Sequence, residues 1–81
     1  TVAIVGAGPI GLASLLTAQF YSPAQLILID TNAARLEVAS RLGASACINV
    51  TSEDAVAAVK KLTDGVGVDC AIEAVGVPAT F

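Results

Sequence analysis

The chain has 81 residues, is 56% hydrophobic and only 14% charged, and carries a formal net charge of −3 with a mean hydropathy of +0.82. That length limits it to one domain with a modest core, and its four scattered basic residues form no clustered positive face for nucleic acid. So apolar a composition fits either a membrane protein or a parallel sheet covered on both faces, and surfaces made to pack against a larger parent would accentuate the second.

No charged side chain occurs between Thr1 and Ile29, yet this stretch does not read as a membrane span. A span needs about 20 helix-compatible residues, and here Gly6, Gly8, Pro9 and Gly11 interrupt after five, with Ser22-Pro23 interrupting again. The pieces read separately. "VAIV" (2–5) is a β-branched, buried strand. "PIGLASLLTAQFY" (9–21) has helical spacing through Leu12, Leu15 or Leu16, and Gln19-Phe20, with Pro9 suited to a first turn. "QLILI" (25–29) is a second buried strand that ends at Asp30.

"TNAARLEVASRLGA" (31–44) predicts an amphipathic helix whose inner stripe is Leu36, Ala39 and Leu42, with Gly43 as a left-handed cap. "ACIN" (46–49) is a short third strand. "TSEDAVAAVKKLTDG" (51–65) predicts a third helix capped by Thr51 or Ser52, with Glu53 and Asp54 in its first turn and Lys60-Lys61 near its end, as the helix dipole favours. Its expected buried stripe is Val56, Val59 and Leu62. "VGVDCAIEAVG" (66–76) is the fourth strand.

Alternation β-α-β-α-β-α-β predicts an α/β Rossmann-type, doubly wound parallel sheet with right-handed crossovers, partial at four strands in the order 3-2-1-4 with three helices. A ligand would bind at the carboxyl ends of the strands, where strands 1 and 4 diverge. Cys47 and Cys70 sit in apolar stretches and are expected to be free buried thiols. With no histidine and two distant cysteines, the chain offers no tetrahedral metal site. Asn49-Val50-Thr51 matches a glycosylation sequon, which carries no meaning without secretion, and no basic segment of a signal peptide precedes the apolar start.

Gly6, Gly8 and Gly11 spell G-x-G-x-x-G between a predicted strand and a predicted helix. The first glycine permits a tight turn, the second leaves no Cβ between backbone and a pyrophosphate, and the third lets the helix lie close to the sheet. Amides at the helix start would then point at phosphates with the positive dipole end behind them. Asp30, nineteen residues past Gly11, stands where a carboxylate accepts the hydroxyls of an adenosine ribose. The plainer alternative is a tight turn only, with Asp30 capping the next helix. A 2′-phosphate would meet the Asp30 carboxylate, and no arginine follows it immediately, so NAD is expected over NADP. Arg35, five residues on, either reaches the adenosine side or lies on a solvated helix face.

"VAIVGAGPIGL", "ILIDTNAARLEVASRLGASACIN" and "TDGVGVDCAIEAVG" together resemble the coenzyme domain of the zinc-dependent medium-chain alcohol dehydrogenases over essentially all of residues 1–81. The resemblance implies that Gly6, Gly8, Pro9, Ile10 and Gly11 form the pyrophosphate turn, with Ile10 also backing the nicotinamide. It implies that Asp30 and Arg35 hold the adenosine ribose, and that Ala74 and Val75 pack near the adenine and its ribose, strand-end packing being the alternative for that pair. Glu73 is typical of the family at its position but has no role that the sequence explains. By the same resemblance the parent is a cytoplasmic homo-oligomer that passes hydride between an alcohol or carbonyl substrate and NAD. Its catalytic zinc domain and last strands would lie outside this chain, which names no catalytic residue of its own and is expected to be inactive alone. The fourth strand should then be an open edge that promotes self-association. An NAD-sensing regulatory module without turnover, a flavin-binding domain and a purely structural domain are the other readings.

Overall fold

The computed structural model describes residues 1–75. Four strands, β1 (Val2–Val5), β2 (Leu26–Asp30), β3 (Ala46–Asn49) and β4 (Cys70–Glu73), form one sheet in the order β3-β2-β1-β4, every pair parallel. Helices α1 (Pro9–Ala18), α2 (Ala33–Arg41) and α3 (Ala55–Leu62) connect them. The expected fold class and strand order are therefore observed.

Two packed layers explain the apolar composition. On one face, Leu15 of α1 and Leu36 and Ala39 of α2 close over Ile4, Leu26 and Leu28. On the other, Ala55, Ala58 and Val59 of α3 pack against Ala3, Ile27, Ile29 and Ile48. Central strands β1 and β2 are covered on both sides, so "VAIV" and "LILI" run apolar without alternation. Among the described residues no helix is long and apolar enough to cross a membrane.

Several expected boundaries shift, each for a local reason. The first helix gives way to a single 3-10 turn at Gln19–Tyr21, so Phe20 ends up exposed, and Leu15 rather than Leu16 is the buried leucine. Asn32 caps α2, its Oδ1 accepting the Arg35 amide at 3.1 Å. Gly43, at φ +121°, ends the helix in the left-handed region as expected, but Leu42 is left partly exposed. Neither Thr51 nor Ser52 caps α3. Both are tied into a turn around Asn49, whose Oδ1 accepts the Thr51 amide at 3.0 Å and whose carbonyl accepts the Ser52 amide at 3.1 Å. The helix can start only beyond that turn, and Asp54 caps it by accepting the Ala57 amide at 3.0 Å. Ala55, Ala58 and Val59 are inside, whereas Val56 and Leu62, the latter at the helix's last residue, are exposed.

Strand β4 is shorter than the apolar run "VGVDCAIEAVG" suggested, and Gly76 lies outside the described residues. Among the described residues it is an edge strand with β1 as its one neighbour. Both cysteines are free thiols, but Cys70 is exposed on this edge instead of buried, and Cys47 is only partly covered. The strand's residual apolar face, Cys70 and Ile72 with Val2, borders an open groove of about 690 Å³ against Ile10, Ala13 and Tyr21.

Candidate functional site

All nine sequence-selected residues gather at the carboxyl end of the sheet or on the elements that leave it. The Gly6 amide donates to the Ile29 carbonyl at 2.7 Å, the last link between β1 and β2 before the chain turns. At φ +104°, Gly6 adopts a conformation that other residues rarely take. This turn brings the next amide, Ala7, onto Asp30 Oδ2 at 2.7 Å.

Gly11 faces inward at the first turn of α1. A Cβ placed there would lie 1.7 Å from the Gly6 carbonyl oxygen, so helix and turn touch backbone to backbone. Gly8 is different. It is the N-cap residue, in ordinary extended conformation (φ −77°), and a Cβ on it would meet only Arg35 Nη1 at 3.8 Å. The space before the helix is therefore open, and the Arg35 guanidinium borders it.

Helix α1 also differs from its neighbours in how it begins. Side chains cap α2 and α3, through Asn32 and Asp54. No side chain caps α1. Pro9 occupies the first helical position, where a missing amide costs nothing. The amides of a helix start, with the dipole behind them, form an anion-binding arrangement. Ile10 is 71% exposed beside this entrance.

Asp30 does not cap α2, which is Asn32's role. Its Oδ1 accepts the Thr31 amide at 2.6 Å and the Asn32 amide at 3.0 Å, while Oδ2 accepts Ala7. Burial pushes the Asp30 carboxyl upward, but the bonds from Ala7, Asn32 and Thr31, together with the Arg35 charge, outweigh it and hold the group below its ordinary 3.8. A carboxylate offers about four acceptor positions. Oδ1 also takes the Thr31 hydroxyl at 3.4 Å, whereas among the described residues Oδ2 takes the Ala7 amide alone, which by count leaves it a second acceptor position.

On the other side of the turn, the Ala74 amide donates to Val5 O at 2.8 Å. Val75 follows, and a Cβ on Gly6 would fall 2.8 Å from Val75 Cγ2 and 3.3 Å from the Ala74 carbonyl carbon. Thus Ala74 and Val75 wall the glycine turn opposite Asp30. Sequence reasoning passed over two contributors. Ala7 looked like a spacer inside G-x-G, but its amide joins the turn to Asp30. Glu73 had no visible role, yet its Oε1 accepts the Val75 amide at 2.7 Å. Neither leaves a mark in composition or periodicity, since one acts through its backbone and the other folds back on its own strand end.

Among the described residues, no three of His, Cys, Asp and Glu come together as a metal site, and the chain contains no histidine. The donor set does not fit a zinc ion.

Comparison with known proteins agrees with this geometry. A chain from Streptococcus pneumonia, described as zinc dependent alcohol dehydrogenase 2 in its apo form, superposes with a TM-score of 0.94 at 59% identity, over 99% of this chain and 24% of that one. An alcohol dehydrogenase of Cupriavidus necator is 46% identical over all 81 residues. A sorbitol dehydrogenase of Bacillus subtilis is 39% identical over the same span. This chain covers 22% and 23% of those two proteins' lengths. Residues 9–81 match the family model described as zinc-binding dehydrogenase. The sheet order, the glycine turn and these matches agree: the chain belongs to the zinc-binding dehydrogenase family.

Proposed function

We propose that this chain is the NAD-binding segment of an oxidoreductase that moves hydride between an alcohol and NAD, zinc being held elsewhere in the whole protein. The observation that carries the reading is the entrance of α1, uncapped at Gly8 and joined through Ala7 to a depressed carboxyl at Asp30. The pyrophosphate would lie over Gly6, Gly8, Pro9 and Gly11, in the space that a side chain on Gly8 would enter. The second acceptor position of Asp30 Oδ2 would take an adenosine ribose hydroxyl, with Arg35 alongside and Ala74 and Val75 forming the opposite wall. Ile10, exposed past the turn, would back the nicotinamide.

NAD, when bound, supplies the hydride-accepting carbon of its nicotinamide ring. The chain's own share is to bind and orient that cofactor. Nothing among the described residues is assigned a proton transfer or a metal ligand. The catalytic groups and the alcohol or carbonyl pocket belong, in this reading, to the three quarters of the relatives' length that this chain does not span. Residues 1–81 would thus be a partial dinucleotide-binding domain of a longer, cytoplasmic, homo-oligomeric protein, inactive by themselves.

Calorimetric titration with NAD⁺ and then NADP⁺ tests this directly. We expect NAD⁺ to bind in preference to NADP⁺, because a 2′-phosphate would be placed against the Asp30 carboxylate. Asp30→Ser should lower the NAD⁺/NADP⁺ preference by about tenfold, the effect of one lost charge-assisted hydrogen bond and one relieved repulsion. An unchanged ratio would remove Asp30 from the ribose role. NAD⁺-dependent partner binding without turnover in the whole protein would favour a sensing module instead.

A further inference from the structure

Strand β4 ends in a bond that the sheet does not require. Glu73 lies opposite Val5 in register, and the next amide, Ala74, makes the last rung of the ladder to Val5 O at 2.8 Å. At Val75 the chain has left β4, and among the described residues its amide has no strand partner. Glu73 Oε1 accepts that amide at 2.7 Å, across two residues of its own chain. This is the logic of an aspartate turn, extended by one methylene.

The bond has a target. Val75 Cγ2 is the atom nearest to where a side chain on Gly6 would begin, at 2.8 Å, so the valine rests directly on the glycine turn. Val75 itself is 47% exposed, and its amide would be hydrated if Glu73 released it. An exposed amide loses little by exchanging a protein acceptor for water. The Glu73 bond therefore adds little to global stability, and its consequence is local: it fixes where the strand end sits over Gly6.

We infer that Glu73 is a positioning residue for the dinucleotide, whose carboxylate, by accepting the Val75 amide, holds Val75 as the wall of the glycine turn. The inference rests on the reading of that turn as the NAD site. Without the bond, Val75 samples several positions, and part of the binding free energy is spent ordering it.

The test is NAD⁺ affinity of the full-length protein, measured by calorimetry beside its melting temperature, for Glu73→Ala, Glu73→Gln, Val75→Ala and the Glu73/Val75 double alanine variant. Glu73→Ala should weaken NAD⁺ binding about tenfold in protein whose melting temperature shows it folded, the cost of ordering one freed side chain on binding. Glu73→Gln keeps an acceptor oxygen and should stay within about twofold of wild type. In the Val75→Ala background, Glu73→Ala should add nothing further, since the side chain it positions has gone. Where alanine prevents folding, Glu73→Met keeps the bulk without the acceptor and serves in its place. Losses that multiply in the double variant, or Glu73→Gln as weak as Glu73→Ala, overturn the inference. So does a Glu73→Ala protein that binds NAD⁺ normally while Asp30→Ala does not, and that result leaves the site itself standing. A wild-type protein that does not bind NAD⁺ overturns both.

Discussion

Gly8 and Gly11 lie three residues apart in one motif, yet alanine at each should have opposite consequences. At Gly11 the new Cβ would lie 1.7 Å from the Gly6 carbonyl oxygen and 2.8 Å from its carbon, whereas real contacts stay above 3.0 Å. The obstruction is backbone, which cannot rotate away, so α1 must move roughly 1.3 Å off the turn. Overpacking of a tight contact costs about 3 kcal/mol at the upper end of its usual range. Alanine returns about 1 kcal/mol through helix propensity, for a net loss of roughly 2 kcal/mol. In a domain of this size that is about 8–16 °C in melting temperature. At Gly8 the Cβ meets only the flexible end of Arg35 at 3.8 Å, in a conformation alanine adopts freely. The cost there is the poorer cap, about 1 kcal/mol or less. Its Cβ, however, projects into the space assigned to the pyrophosphate, so Gly8→Ala should lose NAD⁺ affinity by at least about tenfold while staying folded. Urea unfolding followed by circular dichroism, with calorimetry on the folded fraction, separates the two. If Gly11→Ala were as stable as wild type, or Gly8→Ala bound NAD⁺ normally, the division of labour between the two glycines would be refuted.

Acid should act through Asp30. Its folded carboxyl lies below the ordinary 3.8, so the stability it contributes is fully present above the unfolded value and is lost as pH falls through the folded one. Wild type should therefore exceed Asp30→Asn in stability near neutrality and converge with it on acidification below about pH 4, as urea midpoints across pH would reveal; a gap that persists at low pH would refute the role of the charge. The two thiols should differ in reactivity. Burial pushes the Cys47 thiol up, and its Sγ donates to the Leu36 carbonyl at 3.4 Å, whereas Cys70 lies exposed on the edge strand. Iodoacetamide at mildly alkaline pH should label Cys70 first in the 81-residue chain, by about tenfold, as peptide mass spectrometry would measure.

What the residues declared in advance was whatever depends on short-range spacing. Gly6, Gly8 and Gly11 announced a strand–turn–helix junction, and continuous "VAIV" and "LILI" announced a sheet covered on both faces, because both patterns are set within a few residues. The start of α3 was hidden, since Asn49 captures Thr51 and Ser52 in a turn before either can cap. Cys70 looked buried because edge and centre strands have the same local composition, and only the topology distinguishes them. Ala7 and Glu73 were silent for a different reason. Each works through a hydrogen bond whose existence depends on how β1, β2 and β4 end relative to one another.

The bare start of α1 has a consequence for anyone who would engineer this chain. Installing a cap is among the commonest routes to a sturdier helix, and a serine or aspartate at Gly8 would be the natural choice, given Asn32 and Asp54 at the starts of the other two. An aspartate there would satisfy the vacant amides permanently and set a fixed negative charge where the reading above seats a mobile one. If α1 seats the proposed pyrophosphate, sturdiness and ligand capture compete for the same few N–H groups, and a bare Gly8 would resolve that competition in favour of the ligand.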